Sequence, residues 1–347
     1  MFSRHADERL RYPSPETEPE AFIESLRRVL VNDDIDVVLP VAHETTKLCS
    51  EHVSDLSEHA ELPVAEWETF RRGFDKAETL AAADRAGVPR PKTVYPETPE
   101  EADSVAETLT FPVVVKPRRG AGSRGIAFVD NPESFSEVYR ERYESHDRPL
   151  VQERLPAEGR GLGVGVLRGP NGTVRAEFAY RRLREYPPSG GPSTLRESVE
   201  GKQIRAYARD LLEELDWEGV AMVEFKRDTR DGDPKLMEVN PRFWGSLHLP
   251  LHAGVDFPWL LFQQALGRRP TPQTEYSVPE QCRYLFPGDL LYLLSKRDRE
   301  AVSEFFPLRG HQYDVLDRDD PLPTVGRLLS ASRFAFSPRM WRRVVFR

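Results

Sequence analysis

Short apolar runs alternate with amphipathic stretches through most of this chain, a rhythm that predicts a mixed α/β (α+β) protein. A helical period covers Ala21–Val31, the short apolar run Asp36–Leu39 reads as a strand, and another helix begins near Ala42. Phe74 to Gly87 is helical with Gly87 as its stop, and Val88-Pro89-Arg90-Pro91 then forces an extended passage. A helix opens at Pro99 and ends near Leu109. The strand Phe111–Lys116 runs through the glycine-rich Arg118–Gly125 into a second β run, Ile126–Val129. A helix over Pro132–Tyr143 precedes the strand Leu150–Leu155. Strands Gly163–Arg168 and Thr173–Arg181 form a hairpin through Asn171-Gly172, a strong turn signal. Residues 181–196 read as an arginine-rich loop, Gly201–Leu215 as a helix, and Phe257–Leu266 as the helix that closes the region. Residues 270–347 look mainly helical.

The most informative pattern lies in the second hairpin. Val220–Lys226 and Leu236–Asn240 are strand-like, and Arg230-Asp231-Gly232-Asp233 between them is a turn signal. Centring the turn on Asp231 sets Glu224 directly opposite Glu238, and Asn240 projects from the same face two residues on. Two carboxylates at that separation, on strands apolar on both faces, repel unless a cation sits between them. An all-oxygen ligand set of this kind suits Mg²⁺, which binds one or two carboxylates together with substrate phosphates. The alternative is one exposed and one structural glutamate, with the register off by one.

Composition narrows the classes. Among 347 residues, 57 acidic side chains outnumber 49 basic ones for a net charge of −8, which argues against a main role in binding nucleic acid or an anionic membrane. Only eight lysines occur, so the position of each is informative. Cys49 and Cys282 make neither a disulfide framework nor a metal cluster, and no apolar run is long enough to cross a membrane. A cytoplasmic location is the expectation. The last fifteen residues hold five arginines and no acid, interleaved with Phe, Trp and Val. A helix packed across the domain is the preferred account of that tail, over contact with a membrane or an RNA. His248 and His252 are four apart, but Pro250 between them spoils a helical zinc pair, so packing or capping accounts for them better.

The glycines after Lys116 match G-x-G-x-x-G, yet a strand and not a helix follows them, which rejects a dinucleotide-binding turn. No G-x-x-x-x-G-K-S/T occurs either. A glycine loop between two antiparallel strands instead is similar to a flap laid over phosphates.

In ordered combination these segments resemble the ATP-grasp superfamily, in particular its carboxylate–amine ligases. The resemblance runs from about Phe74 to Leu266. It rests on Asp75-Lys76, Val114-Val115-Lys116-Pro117 with the glycine loop, Gln152-Glu153-Arg154-Leu155, Val223-Glu224-Phe225, and Glu238-Val239-Asn240-Pro241-Arg242. It implies two α+β subdomains at 73–149 and 150–269, a truncated Rossmann-like domain at 1–72, and a mainly helical extension at 270–347. It further implies that Lys76 and Lys116 hold the nucleotide phosphates under Gly120, Gly122, Ser123 and Gly125 of the loop. The strand with Gln152, Glu153 and Leu155 would face adenine, and Glu158 would reach the ribose. Glu224, Glu238 and Asn240 would hold Mg²⁺ or Mn²⁺, two ions in all, while Arg242, with Lys116, would stabilise the transferring phosphoryl group. Arg182, Arg184 and Arg196 are the candidates for binding the acceptor substrate, since a guanidinium cluster suits a carboxylate or phosphate.

The activity this implies is ADP-forming ligation of a small-molecule carboxylate to an amine through an acylphosphate. The competing expectations are an ATP-binding regulatory protein without turnover and a phosphotransferase that releases a phosphorylated product. No nucleic-acid or membrane partner is expected, and a homodimer is compatible with the family. One departure stands out: family members begin with a complete Rossmann-like domain, whereas this chain starts at Met1-Phe2-Ser3, apparently past the first strand and helix of one.

Overall fold

A computed structural model describes residues 3–120, 125–188, 190–296, 299–306 and 310–335. Gly122 and Ser123 of the glycine loop, and most of the arginine-rich tail, lie outside the described residues. The architecture is α/β, built on two antiparallel sheets. The smaller contains β1 (Thr93–Val94), β2 (Val113–Lys116), β3 (Ala127–Val129) and β4 (Leu150–Glu153), in the order β1-β4-β2-β3. The larger contains β5 (Gly161–Arg168), β6 (Val174–Glu185), β7 (Ser193–Ser198), β8 (Gly219–Arg227), β9 (Pro234–Asn240), β10 (Gln281–Arg283) and β11 (Gln312–Tyr313). Its order is β11-β10-β7-β6-β5-β8-β9, antiparallel throughout except for the parallel β10–β11 pair.

Both sheets are amphipathic by the two-residue alternation of their strands. Val113, Val115, Val129 and Val151 turn one face of the small sheet onto a core with Ala102, Phe135 and Tyr139 from the helices Pro99–Ala106 and Phe135–Ser145. Val114, Lys116 and Gln152 are left on the other face. In the large sheet Ala221, Val223 and Phe225 pack with Phe70, Leu80, Ala208 and Leu211 of three helices, Trp67–Phe74, Lys76–Arg85 and Lys202–Glu214. The opposite face carries Met222, Phe178 and Tyr180 against the helices His248–Ala253 and Phe257–Ala265. The first helix of that pair forms despite Pro250 at its third position, where the first turn of a helix lacks an internal acceptor for the missing N–H.

Four sequence expectations change. The predicted strand Asp36–Leu39 is only an isolated parallel bridge, Val37 to Glu61, because the described N-terminal residues offer it no further partner. The helix expected over Phe74–Gly87 is broken at Asp75, whose carboxylate accepts the Ala77 amide and starts a new helix. The arginine-rich "loop" of 181–196 is chiefly two paired strands: β6 runs on to Glu185 and β7 begins at Ser193, so only the stretch between them, with its prolines and glycines, is loop. Finally, residues 270–347 are not helical alone, since β10 and β11 extend the large sheet beyond β7.

The glutamate hairpin has the expected pairing by an unexpected route. Near the turn Lys226 opposes Lys235 and Phe225 opposes Leu236, a register one residue out from the sequence reading. A bulge between Glu224 and Phe225, which leaves Met237 extra, then brings Glu224 opposite Glu238.

Candidate active site

The site is assembled where the free face of the small sheet meets the β5–β8–β9 edge of the large one. A single row crosses the large sheet there: Glu238, Glu224, Gly163, Tyr180 and Ser198 are successive cross-strand partners. Adjacent partners on a row point to the same side. The two glutamates therefore share one face, with Asn240 one pair further along on β9.

Each acid already has a cation. Glu224 Oε1 accepts from Arg182 Nη2 at 2.5 Å, and Lys76 Nζ lies 3.4 Å from Glu238 Oε2. Asn240 Nδ2 donates to Glu238 Oε1 at 3.2 Å, and Arg242 Nη2 donates to Asn240 Oδ1 at 3.2 Å. Burial raises the Glu224 pKa, and neighbouring Glu238 adds to the rise that Arg182 opposes. Burial also penalises charged Glu238, but Lys76 and Lys116 outweigh it and hold its pKa below the ordinary glutamate value. The pair is polarised: Glu238 is the firmly ionised member.

Lys116 reaches the site from the end of β2. It is buried, and burial, followed by the charge of Lys76, lowers its pKa to about 8. Its Nζ donates to Gln152 Oε1 at 2.6 Å, while Gln152 Nε2 donates to Thr93 Oγ1 at 3.0 Å. The side chain of Gln152 thus aims Lys116, a job the sequence reading did not give it. Glu153 accepts the Lys92 amide through Oε1 at 2.8 Å and Arg230 through Oε2 at 3.0 Å, and its own amide donates to the Lys92 carbonyl. A hinge contact from Glu153 to a base would therefore run through its carbonyl. Leu155 is buried close by, whereas Glu158 is exposed at the rim of a cavity of about 510 Å³ that includes Arg160 and Arg227.

Asp75 and Lys76 fasten the base of the glycine loop. Asp75, almost fully buried, accepts Arg118 Nε at 3.1 Å and Arg119 Nε at 3.2 Å. The Lys76 amide donates to the Arg118 carbonyl at 2.9 Å, and its Nζ to the Gly120 carbonyl at 3.0 Å. Gly120 has φ +135° and Gly125 has φ +74°, conformations that favour glycine at both edges of the loop.

Of the three substrate-binding arginines expected, only Arg182 lies beside the acids. Arg184 is buried with its Nη1 3.2 Å from Asp289. Arg196 is buried in an ion pair with Asp314, to which Cys282 Sγ also donates at 3.1 Å. These two arginines hold the C-terminal segment onto the sheet in this structure.

Arg182 reaches Glu224 by crossing β5, and the crossing needs glycine. A Cβ at Gly161 would stand 2.8 Å from Arg182 Cδ, and one at Gly163 would stand 2.4 Å from the Tyr180 ring. A Cβ at Gly165 would meet Trp244 at 2.3 Å. Alternate glycines on one strand clear a trough for side chains from the next. The variant Gly163→Val is expected to lose about 1–3 kcal/mol of unfolding free energy in urea titration. It is also expected to weaken nucleotide binding, because Tyr180 must move toward Arg182.

Sequence reasoning also missed His43. It opens the helix His43–Glu51, its ring centroid is 4.6 Å from that of Phe74, and burial, then the charge of Arg242, lowers its pKa to about 4. The ring is neutral near pH 7. Its one sequence cue is its place just after the short apolar run Asp36–Leu39.

The residues present fit a nucleotide with a divalent ion. Two facing carboxylates and an amide oxygen make the oxygen donor set that Mg²⁺ prefers. Around them, Arg182 Nε and Arg242 Nε are buried with no hydrogen-bond partner among the described residues, as expected of donors awaiting an anion. No described helix is long and apolar enough to cross a membrane.

Comparison with known proteins agrees with this geometry. Residues 146–284 match the family model described as "ATP-grasp in the biosynthetic pathway with Ter operon". A segment of 166 residues, 46% of the chain, is 26% identical to the C-terminal section of the carbamoyl phosphate synthase large chain of Methanopyrus kandleri. That match spans 30% of the relative's own length. Among solved structures, the biotin carboxylase domain of Hydrogenobacter thermophilus 2-oxoglutarate carboxylase, in complex with MgADP, ADP and bicarbonate, superposes with a TM-score of 0.62. It shares 18% identity over 73% of this chain and 59% of that one. N5-carboxyaminoimidazole synthetase of Staphylococcus aureus gives a TM-score of 0.60 at 16% identity, over 80% of this chain and 72% of that one. At such identities these two structures speak for the fold.

Proposed function

We propose that this chain is a member of the ATP-grasp superfamily and an ADP-forming ligase that joins a small-molecule carboxylate to an amine, a reading supported by the family model matched over residues 146–284. The observation that carries the reading is the convergence of Glu224 and Glu238, opposite one another on β8 and β9, with Lys76 and Lys116 arriving from the other side. Such a set of charges serves phosphoryl transfer, where catalysis is mostly positioning and charge neutralisation.

In this reading Glu224, Glu238 and Asn240 hold Mg²⁺ or Mn²⁺, two ions at full occupancy, and the bound MgATP supplies the phosphoryl group to be transferred. Lys76 and Lys116 neutralise the phosphate oxygens, and Gln152 keeps the Lys116 ammonium aimed at them. Gly120, Gly122, Ser123 and Gly125 form the flap over the phosphates. The backbone at Glu153 and Leu155 faces adenine, and Glu158 the ribose. A substrate carboxylate oxygen attacks the γ-phosphorus, the bond to the β-phosphate oxygen breaks, and ADP leaves. Arg242 stabilises the charge that spreads over the transferring group. The amine nitrogen then attacks the acylphosphate carbon, the C–O bond to phosphate breaks, and inorganic phosphate leaves as the nitrogen gives up a proton. Arg182, lying in the glycine trough beside Glu224, orients the acceptor carboxylate. Arg184 and Arg196 act one step back in this scheme, by fixing the strands that carry Arg182.

The test is nucleotide product analysis across a panel of carboxylates paired with amines. The reading expects ADP release that requires both acceptors and yields a joined product. AMP with pyrophosphate would reject the acylphosphate route. ADP with a released phosphorylated acceptor would identify a phosphotransferase, and binding without turnover under every condition a regulatory protein.

A further inference from the structure

The hairpin of β8 and β9 carries a second charged rung. Two residues from Glu224 toward the turn, Lys226 stands directly opposite Lys235, as Glu224 stands opposite Glu238. Alternation along β8 puts Lys226 on the face of Glu224, with Phe225 between them turned to the helices of the core. Its partner on the other side is Gly161 of β5, which has no side chain to crowd it. Two of the chain's eight lysines are thereby set side by side, and like charges directly opposed are destabilising.

The two lysines are not equally provided for. Lys235 Nζ donates to Asp231 Oδ2 in the turn at 2.7 Å. Lys226 is half-buried and makes neither a hydrogen bond nor an ion pair to any described residue. Glu185 and Glu158 are the acids whose charge reaches it most, but Glu185 lies 3.5 Å from Arg182 and Glu158 is exposed at the rim. A lysine in a strand can turn its ammonium out to water. This one instead faces into the groove between the sheets, near enough to Lys116 of the small sheet for their charges to oppose one another.

Its place along the hairpin says what could answer that charge. At the turn end, Arg230 Nη2 donates to Glu153 Oε2 at 3.0 Å, which ties the hairpin to the strand expected to face adenine. In the opposite direction lies the rung of Glu224 and Glu238. Lys226 therefore sits between the two, roughly 7 Å along the strand from Glu224. A nucleotide with its terminal phosphates at the acids and its base at the hinge carries its α-phosphate across this rung.

We propose that Lys226 binds the α-phosphate of the nucleotide, as a third phosphate-binding lysine beside Lys76 and Lys116. A phosphodiester oxygen supplies the counter-charge that no described residue gives, and an ammonium meets it as a compact point charge. The acceptor carboxylate would answer it poorly, since that group must reach the γ-phosphorus, on the far side of the acid rung from the hinge. The inference rests on the nucleotide-binding part of the ligase reading and adds a contact that reading did not contain.

The experiment compares the parent chain with Lys226→Met for ADP, AMP and adenosine, with dissociation constants taken from ligand-observed NMR titrations in Mg²⁺ buffer. In the variant, ADP and AMP are expected to bind about tenfold more weakly or worse, because a charged donor to phosphate is lost. Adenosine should bind both proteins alike to within about twofold, which also shows that the variant is folded. Unchanged affinity for ADP and AMP would overturn the inference and leave the ligase reading standing. Equal loss for all three ligands would overturn it too, by placing Lys226 at the base or in the fold. So would a parent chain that binds AMP no better than adenosine. A parent chain that binds none of the three would remove the nucleotide reading itself, and this inference with it.

Discussion

Changing Glu238 to glutamine is expected to lower acceptor-dependent ADP release about a thousandfold, with the secondary structure intact. Glutamine keeps the shape of the side chain and its bond to Asn240 but removes one of the two negative charges that face each other across β8 and β9. The loss should appear in the requirement for metal: saturation by Mg²⁺ should shift to much higher concentrations, because the remaining acid, Glu224, is the member whose pKa burial raises. Glu238 is the more damaging of the two to lose. It is the acid kept ionised by Lys76 and Lys116, and its removal takes from both ammonium groups the carboxylate that pairs with them most strongly. The same isosteric change at Glu200, an acid exposed on a loop, should alter the rate by less than about twofold. Steady-state assays with metal titrated at saturating nucleotide make the comparison. An unchanged metal requirement in Glu238→Gln would remove that residue from the ion site.

The second large effect has opposite signs for two properties of one variant. Lys116→Met is expected to weaken nucleotide binding roughly a hundredfold, since a charged donor to phosphate is lost. The same change should make the ligand-free chain more stable near pH 7. The folded-state pKa of Lys116, about 8, lies below the ordinary lysine value of 10.5 because its charge is buried. A lysine shifted down in this way destabilises the fold wherever it is protonated, so the full cost is present below pH 8. Between pH 8 and 10.5 the unfolded chain binds a proton that the folded chain has released, and stability of the parent protein climbs with pH through that window. Above it both states are neutral and the difference disappears. The cost amounts to roughly 3 kcal/mol as an upper bound. Urea titrations of both proteins at pH 7 and pH 10 check it: methionine should gain at pH 7 and the gap should narrow at pH 10. A variant equally destabilised at both values would mean that Lys116 is not a buried charge.

Much of the site could be read from the chain because β structure converts sequence parity into facing. Glu224, Glu238 and Asn240 were placed together by counting from the turn, and the fold pairs them so. The counting succeeded through a compensation it did not contain. The turn closes half a step earlier than Asp231, with the Gly232 amide on the Asp228 carbonyl and the Asp228 amide on the Asp233 carbonyl. Only the bulge at Met237 restores the opposition of the two acids. A bulge has no reliable local signature, so the facing of the two acids was legible while the register near the turn and the bulge that corrects it were not.

The arginines show the other limit. Pro187-Pro188 and Gly190-Gly191 read as a loop, and charge on both sides of them extended that reading too far. Tertiary partners decide otherwise: Asp289 and Asp314, far along the chain, neutralise Arg184 and Arg196 and let strands form where isolated arginines would prefer water. Separation of about a hundred residues puts such a pairing beyond local pattern. Gly161, Gly163 and Gly165 were legible in principle, since glycine at every second position of a strand marks a close approach on one face. What approaches, Arg182 and Tyr180 from the next strand, needed the register of β5 and β6.

The central claim is that Glu224 and Glu238 trap a divalent ion beneath a triphosphate held by Lys76 and Lys116. Anomalous diffraction from Mn²⁺, in crystals grown with a non-hydrolysable ATP analogue, locates that ion directly. A manganese peak within coordinating distance of both carboxylates and of the analogue's terminal phosphates is the predicted result. A peak elsewhere, or a nucleotide bound with no metal between those two side chains, would contradict it.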